Sequence, residues 1–147
     1  MAQDNGYQQR IRASFAKQGL MRTLGASLEH ISPGVVEIAM RPNGAISQQH
    51  GFTHAGAVSA IADSAAGYAA LSLMPHGTGV LTAEFKINFV APAAGDRIIA
   101  RGRVVKAGRT LTVAQTEVFA ESGGEEKLIA LLIATIMTVA DRAGVSD

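Results

Sequence analysis

The stretch from His54 to Met74 constrains this chain more than any other. Between Ala55 and Met74 it carries eight alanines, no proline and a single charge, Asp63. Alanine is the strongest helix former, so one helix of about five turns, about 30 Å long, is expected here. A helix that is apolar nearly all round is buried on most sides, and small side chains let a sheet come close and wrap it. A membrane span fits less well. Alanine adds little to insertion, an acid sits near the middle, and no basic cluster flanks the run.

The flanking sequence supplies strands. Leu24 to Ile31 and Val35 to Met40 read as a hairpin around Ser32-Pro33-Gly34. Pro42 to Thr53 is loop, with Gly44 and Gly51 as breakers. After the helix, Phe85, Ile87 and Phe89 alternate with Glu84, Lys86 and Asn88, which marks Val80 to Val90 as a strand. Asp96 to Val105, Thr110 to Phe119 and Leu128 to Val139 follow, separated by turns at Lys106-Ala107-Gly108-Arg109 and Ser122-Gly123-Gly124. The last run is apolar almost without break, so it is expected to be covered on both faces or to lie in an interface. At the front, Tyr7, Ile11 and Phe15 recur every four residues. Residues 1–20 therefore hold a short amphipathic helix, with Asp4 and Asn5 as caps and Gly19 as its end. Residues 140–147 are a polar tail expected to fray. Short connections imply antiparallel neighbours. The expected fold is α+β, one antiparallel sheet curled round one long helix, in a single domain over residues 1–147.

With 147 residues and a net charge of +1, there is no electrostatic case for nucleic acid. There are no cysteines, so disulfides and thiolate metal sites are excluded. Met1 to Arg12 lacks the apolar run of a signal peptide, and a cytoplasmic location is expected. His50 and His54 stand four apart, but Gly51 breaks the helix that would align them, and no metal is expected.

Chemistry points to the long helix. A lone acid in an uncharged helix is costly unless paired or used, which marks Asp63. His54 is a capping or positioning residue, or an imidazole acting directly. The free N–H groups of Ala55 and Gly56 open toward the start of the helix, where small residues let a substrate oxygen approach. Two such donors can hold an oxyanion, and a nearby carboxylate can act as base or nucleophile. Yet nine residues advance about 13 Å and turn about 900°, so His54 and Asp63 lie on opposite faces. One site can use both only if two copies of the chain share it, as a two-fold dimer allows. Lys106, Arg109, Arg101 and Arg103 cluster around one hairpin, a surface patch or a phosphate contact.

The segment His54-Ala-Gly-Ala-Val-Ser-Ala-Ile-Ala-Asp63 resembles the His-Gly-Gly-x6-Asp signature of hotdog-fold acyl-CoA thioesterases of the phenylacetic-acid-degradation (PaaI-like) type. Leu81 to Pro92 is similar to that family's next strand, and Val104 to Leu111 to its CoA-contacting hairpin. The resemblance implies a hotdog fold, hydrolysis of acyl-CoA to acid and CoA, and no cofactor beyond the CoA of the substrate. It implies a homodimer, usually paired into a homotetramer, with sites between subunits. Asp63 then matches the catalytic carboxylate, Ala55 the residue whose N–H polarises the carbonyl, Gln48 a substrate- or water-positioning amide, and Thr82 a hydroxyl near the water. Lys106, Gly108, Arg109 and Thr110 match CoA contacts. Phe89 belongs with Phe52, Tyr68, Leu73 and Met74 as candidates to line the substrate pocket. Alanine in place of the signature's first glycine keeps the donor and adds a methyl. Two other activities suit the same residues: hydration or dehydration of acyl thioesters, with His50 or His54 paired to Asp63, and acyl-CoA binding without turnover.

Overall fold

The computed structural model describes residues 6–147. The capping role expected of Asp4 and Asn5 lies outside the described residues. Two helices open the chain where one was expected, α1 (Gly6–Lys17) and α2 (Gly19–Leu24). Gly19 starts the second helix, and Gly25, at φ 65°, ends it in the left-handed conformation that glycine takes without steric cost. The first hairpin is β1 (Ser27–Ser32) and β2 (Val35–Met40). Gly34, at φ 75°, makes its tight turn possible.

The long helix is α3 (Ala55–Leu71), 17 residues. It stops three residues short of Met74, and the reason comes from α1. The Arg10 guanidinium is buried and donates to the carbonyls of Leu71 (2.7 Å), Met74 (2.9 Å) and Pro75 (2.7 Å). Those bonds take up carbonyls that a helix end leaves unsatisfied, and Pro75 could not have continued the ladder. Four strands follow: β3 (Gly79–Phe89), β4 (Arg97–Lys106), β5 (Leu111–Ser122) and β6 (Glu125–Val139).

All six strands form one antiparallel sheet in the order β1-β2-β4-β5-β6-β3. The helix α3 lies across its inner face against β2 to β6. Val58, Ile61, Ala62, Ala65, Ala66 and Ala69 are fully buried there. Gly102 of β4 makes the contact possible. A Cβ at that position would sit 2.5 Å from the Ala65 carbonyl. Thr116 of β5 donates its hydroxyl to the Ala62 carbonyl at 2.9 Å. Along β5, Thr112, Ala114, Thr116, Val118 and Ala120 point inward and are buried.

β6 runs between β5 and β3. Ala130, Leu132, Ala134 and Ile136 face the helix, but Ile133 and Met137 on the other face are 49% and 40% exposed. Within one chain β6 is therefore covered on one face only. β3 is an outer strand with nothing paired to its far side among the described residues, and Leu81, Phe85 and Phe89 on it stay exposed. The C-terminal residues, expected to fray, lie along the start of β3. The Asp147 N–H donates to the Thr78 carbonyl at 3.2 Å. Among the described residues, no helix is long and apolar enough to cross a membrane.

Candidate active site

The sequence-predicted residues fall into three clefts. The first, about 610 Å³, lies at the N-terminus of α3 and is lined by Gln48, Phe52, His54, Ala55 and Phe89, among others. His54 is the N-cap of α3, with ψ 138°, and its Nδ1 accepts the Gly56 N–H at 2.7 Å. The His54 carbonyl takes the N–H groups of Ala57 (3.0 Å) and Val58 (3.2 Å). Of the two donors expected to be free, Gly56 is thus committed to the cap. The Ala55 N–H is left without an acceptor among the described residues. A methyl on Gly56 would stand 3.0 Å from His54 Nδ1, so glycine at this position lets the imidazole fold back. Gln48 accepts the His50 N–H with its side-chain carbonyl.

His54→Ala is expected to cost about 1 kcal/mol through the lost cap, read as a lowered Tm. His54→Asn, which also caps, should recover most of it.

Asp63 lies in a second cleft of about 360 Å³, walled by α1, α3 and β3. The Thr82 hydroxyl donates to Asp63 Oδ1 at 2.7 Å, which leaves Oδ2 for another donor. Burial pushes the Asp63 carboxyl above its ordinary value of 3.8, and the Thr82 bond partly offsets this. Thr82 reaches the acid because of a bulge in β3. The register shifts between Thr82 and Glu84, so Thr82 pairs with inward-facing Ile136, and Phe85 with inward-facing Ala134. Without the extra residue, strict alternation back from Phe85 would turn Thr82 to the outer face.

Gly108 and Arg109 line a third cleft, about 370 Å³, with Leu73, Met74 and Thr138. A Cβ at Gly108 would lie 2.1 Å from the Leu111 carbonyl, so this turn accepts only glycine. Lys106 and Thr110 are exposed beside it on the β4–β5 hairpin. Arg101 and Arg103, grouped with them in the sequence, are engaged elsewhere. Arg101 forms a two-point ion pair with Glu126 (2.6 and 2.7 Å) and bonds Glu37, while Arg103 bonds Gln115.

The structure therefore brings Asp63 together with Thr82, and separately Gln48 with His54, Ala55 and Phe89. It does not bring the two groups together in one chain. The sequence reading missed Ser14, Gln18 and Ser64 beside Asp63. The available signal was a polar pair, Ser14 and Gln18, four apart next to the apolar stripe of α1.

The sequence model of the Thioesterase superfamily matches residues 50–127, which span α3, β3, β4 and β5. A thioesterase family protein from Silicibacter pomeroyi is 52% identical, with a TM-score of 0.90 over 92% of this chain and 99% of that one. The PaaI protein of the E. coli phenylacetic acid degradation operon shares the fold, with a TM-score of 0.81 at 23% identity over 95% of each chain. A curated protein of Halobacterium salinarum, named as a candidate esterase, is 30% identical over 74% of each chain. With the hotdog arrangement of sheet and helix already in place, these likenesses settle the family: the chain belongs to the thioesterase superfamily, with the hotdog fold.

Proposed function

We propose that this thioester hydrolase cleaves acyl-CoA to free acid and CoA at sites shared between two copies of the chain. One observation carries the reading. Asp63 with Thr82 and the unpaired Ala55 N–H lie in different clefts of the same chain, eight residues and about 12 Å apart along one rigid helix.

The edge strand supports the second copy. An unpaired, apolar outer strand is a template for pairing with another chain. Two β3 strands related by a two-fold axis would pair antiparallel. With the axis at Lys86, Glu84 stands opposite the partner's Asn88, and the extra residue of the β3 bulge brings Thr82 opposite the partner's Phe89. Phe89 lines the cleft that holds Ala55, so Asp63 of one copy would face the open helix end of the other.

In that arrangement the partner's Ala55 N–H polarises the thioester carbonyl. Asp63, held through Oδ1 by Thr82, presents Oδ2 to a water and takes its proton as the water attacks, or attacks the carbonyl itself. The C–S bond breaks and CoA leaves as the thiolate. The Gln48 amide positions carbonyl or water, and His54 fixes the helix end. Lys106 and Arg109, with the Gly108 backbone and Thr110, meet the phosphates and nucleotide of CoA. The exposed outer face at Leu111, Ile133 and Met137 suits a second interface, giving a tetramer. The cysteine-free chain suits the cytoplasm.

A thiol-release assay over short, long and aromatic acyl-CoA esters tests the activity; hydration of an enoyl-CoA without release of free CoA would point to the hydratase reading instead. Arg109→Ala is expected to raise KM about tenfold for CoA esters and to leave kcat little changed. The effect should vanish on a truncated thioester that lacks the nucleotide.

A further inference from the structure

Beyond Val139, where β6 ends, no helix or strand holds the chain, yet it docks. It turns back through two residues in the left-handed conformation, Asp141 at φ 54° and Gly144 at φ 80°. Asp141 is the one residue other than glycine with positive φ among the described residues, and aspartate tolerates that region better than most. The Val145 N–H then donates to the Arg142 carbonyl at 3.1 Å and closes a turn. The segment comes to rest against Gly79, the first residue of β3. A Cβ at position 79 would lie 3.1 Å from Val145 Cγ1 and 3.2 Å from the Val145 carbonyl. Glycine in a strand marks places where another backbone approaches closely. Here that backbone is the chain's own tail.

Docking carries Asp147 into the wall of the cleft that holds Asp63 and Thr82. The Asp147 N–H donates to the Thr78 carbonyl at 3.2 Å, and the Ser14 hydroxyl donates to Asp147 Oδ1 at 2.7 Å. Ser14 also meets the Tyr68 hydroxyl at 3.1 Å. The tail therefore bounds the cleft more than one turn beyond Asp63, away from the start of α3. The other walls belong to α1, α3 and β3, each kept in place by the hydrogen bonds of a helix or a sheet. Ser14, Thr78 and Gly79 hold the tail, while residues 141–144 and Ser146 are exposed. A segment with few buried contacts opens at the low end of local stability. This wall gives way before the other three.

Resting on the thioesterase reading above, we propose that residues 141–147 are a strap that closes the Asp63 cleft and lifts to admit substrate. The docked geometry offers a way to hold it down. In a disulfide the Cβ of one cysteine lies about 3.0 Å from the sulfur of the other, since the S–S bond is about 2.04 Å. The 3.1 Å from a Cβ at position 79 to Val145 Cγ1 matches that separation. The chain has no cysteine of its own to compete. Gly79→Cys combined with Val145→Cys should therefore cross-link on oxidation and fix the strap in place.

The test compares the oxidised and reduced double variant on hexanoyl-CoA. Oxidation is expected to lower kcat/KM about tenfold or more, and dithiothreitol to restore it. Asp147→Ala, which frees one anchor, should raise kcat/KM about threefold. A second readout needs no turnover. Coupling of glycine methyl ester to Asp63 by a water-soluble carbodiimide, followed by mass spectrometry, should slow about tenfold on oxidation and quicken in Asp147→Ala. A cross-link that forms and changes neither rate would overturn the proposal. So would a pair of thiols that stays free under oxidant, because Val145 would then not dock on Gly79. Failure of wild type to release thiol from any ester would remove the hydrolytic reading instead, and the labelling rates would still decide the strap.

Discussion

Asp63→Asn is expected to lower kcat/KM for acyl-CoA hydrolysis by about 10³-fold or more, with the chain folded and its assembly unchanged. The carboxylate is the only charged group on α3, and the asparagine Oδ1 can still accept from Thr82. The pH dependence follows from the direction of the shift. Burial raises the Asp63 carboxyl above 3.8, so the acid limb of kcat/KM should lie above that value, activity falling as the acid takes up a proton. The effect on stability has the opposite sign to that of a salt-bridged acid. A carboxyl whose folded value is raised disfavours the fold when ionised. The cost is absent below the unfolded value, appears as pH rises through it, and is complete above the folded value. Asp63→Asn should therefore raise the Tm at neutral pH and lose that advantage in strong acid. Thermal melts across pH check this. A variant that keeps full turnover would take Asp63 out of the chemistry.

Mixing two inactive variants should restore activity. Ala55→Pro removes the one uncommitted N–H at the helix start. Proline is well tolerated at the first helical position, and His54 already holds the extended ψ of 138° that a residue before proline adopts. The variant should fold and be nearly inactive, as should Asp63→Asn. Co-refolded at equal amounts, half of the dimers would be mixed. In each mixed dimer one site joins the wild-type Asp63 of one chain to the wild-type Ala55 of the other. Activity should return to about a quarter of wild type. If each chain held a whole site of its own, no mixture could recover. Phe85→Asp, a charge in the middle of the edge strand, should give monomers by light scattering and abolish both wild-type turnover and this rescue.

Much of the chain could be read from local pattern. Eight alanines around one acid made α3 legible, Pro33-Gly34 and Gly123-Gly124 marked hairpins, and the alternation from Glu84 to Phe89 marked β3. Gly19 was harder. The same residue that ends one helix can start the next, and only the burial of Met21 and Leu24 in the core decides which. The length of α3 was misjudged because its end is fixed by Arg10, more than sixty residues earlier.

The candidate site divides in the same way. The spacing of His54 and Asp63 already meant that a site using both would have to draw on two chains, since helix geometry is a local property. That Gly56 is spent on the His54 cap while Ala55 is left open depends on one imidazole rotamer, which no pattern records.

By itself, then, the sequence determined the elements, the buried helix and the acid on it, because propensity and periodicity act between near neighbours. Only the tertiary structure decided that β3 ends at the sheet's edge, that a bulge turns Thr82 toward Asp63, and that Ser14 and Gln18 close the cleft beside it. Those outcomes are set by pairing and packing between residues far apart in the chain, where many registers satisfy the local pattern and only one fills the core.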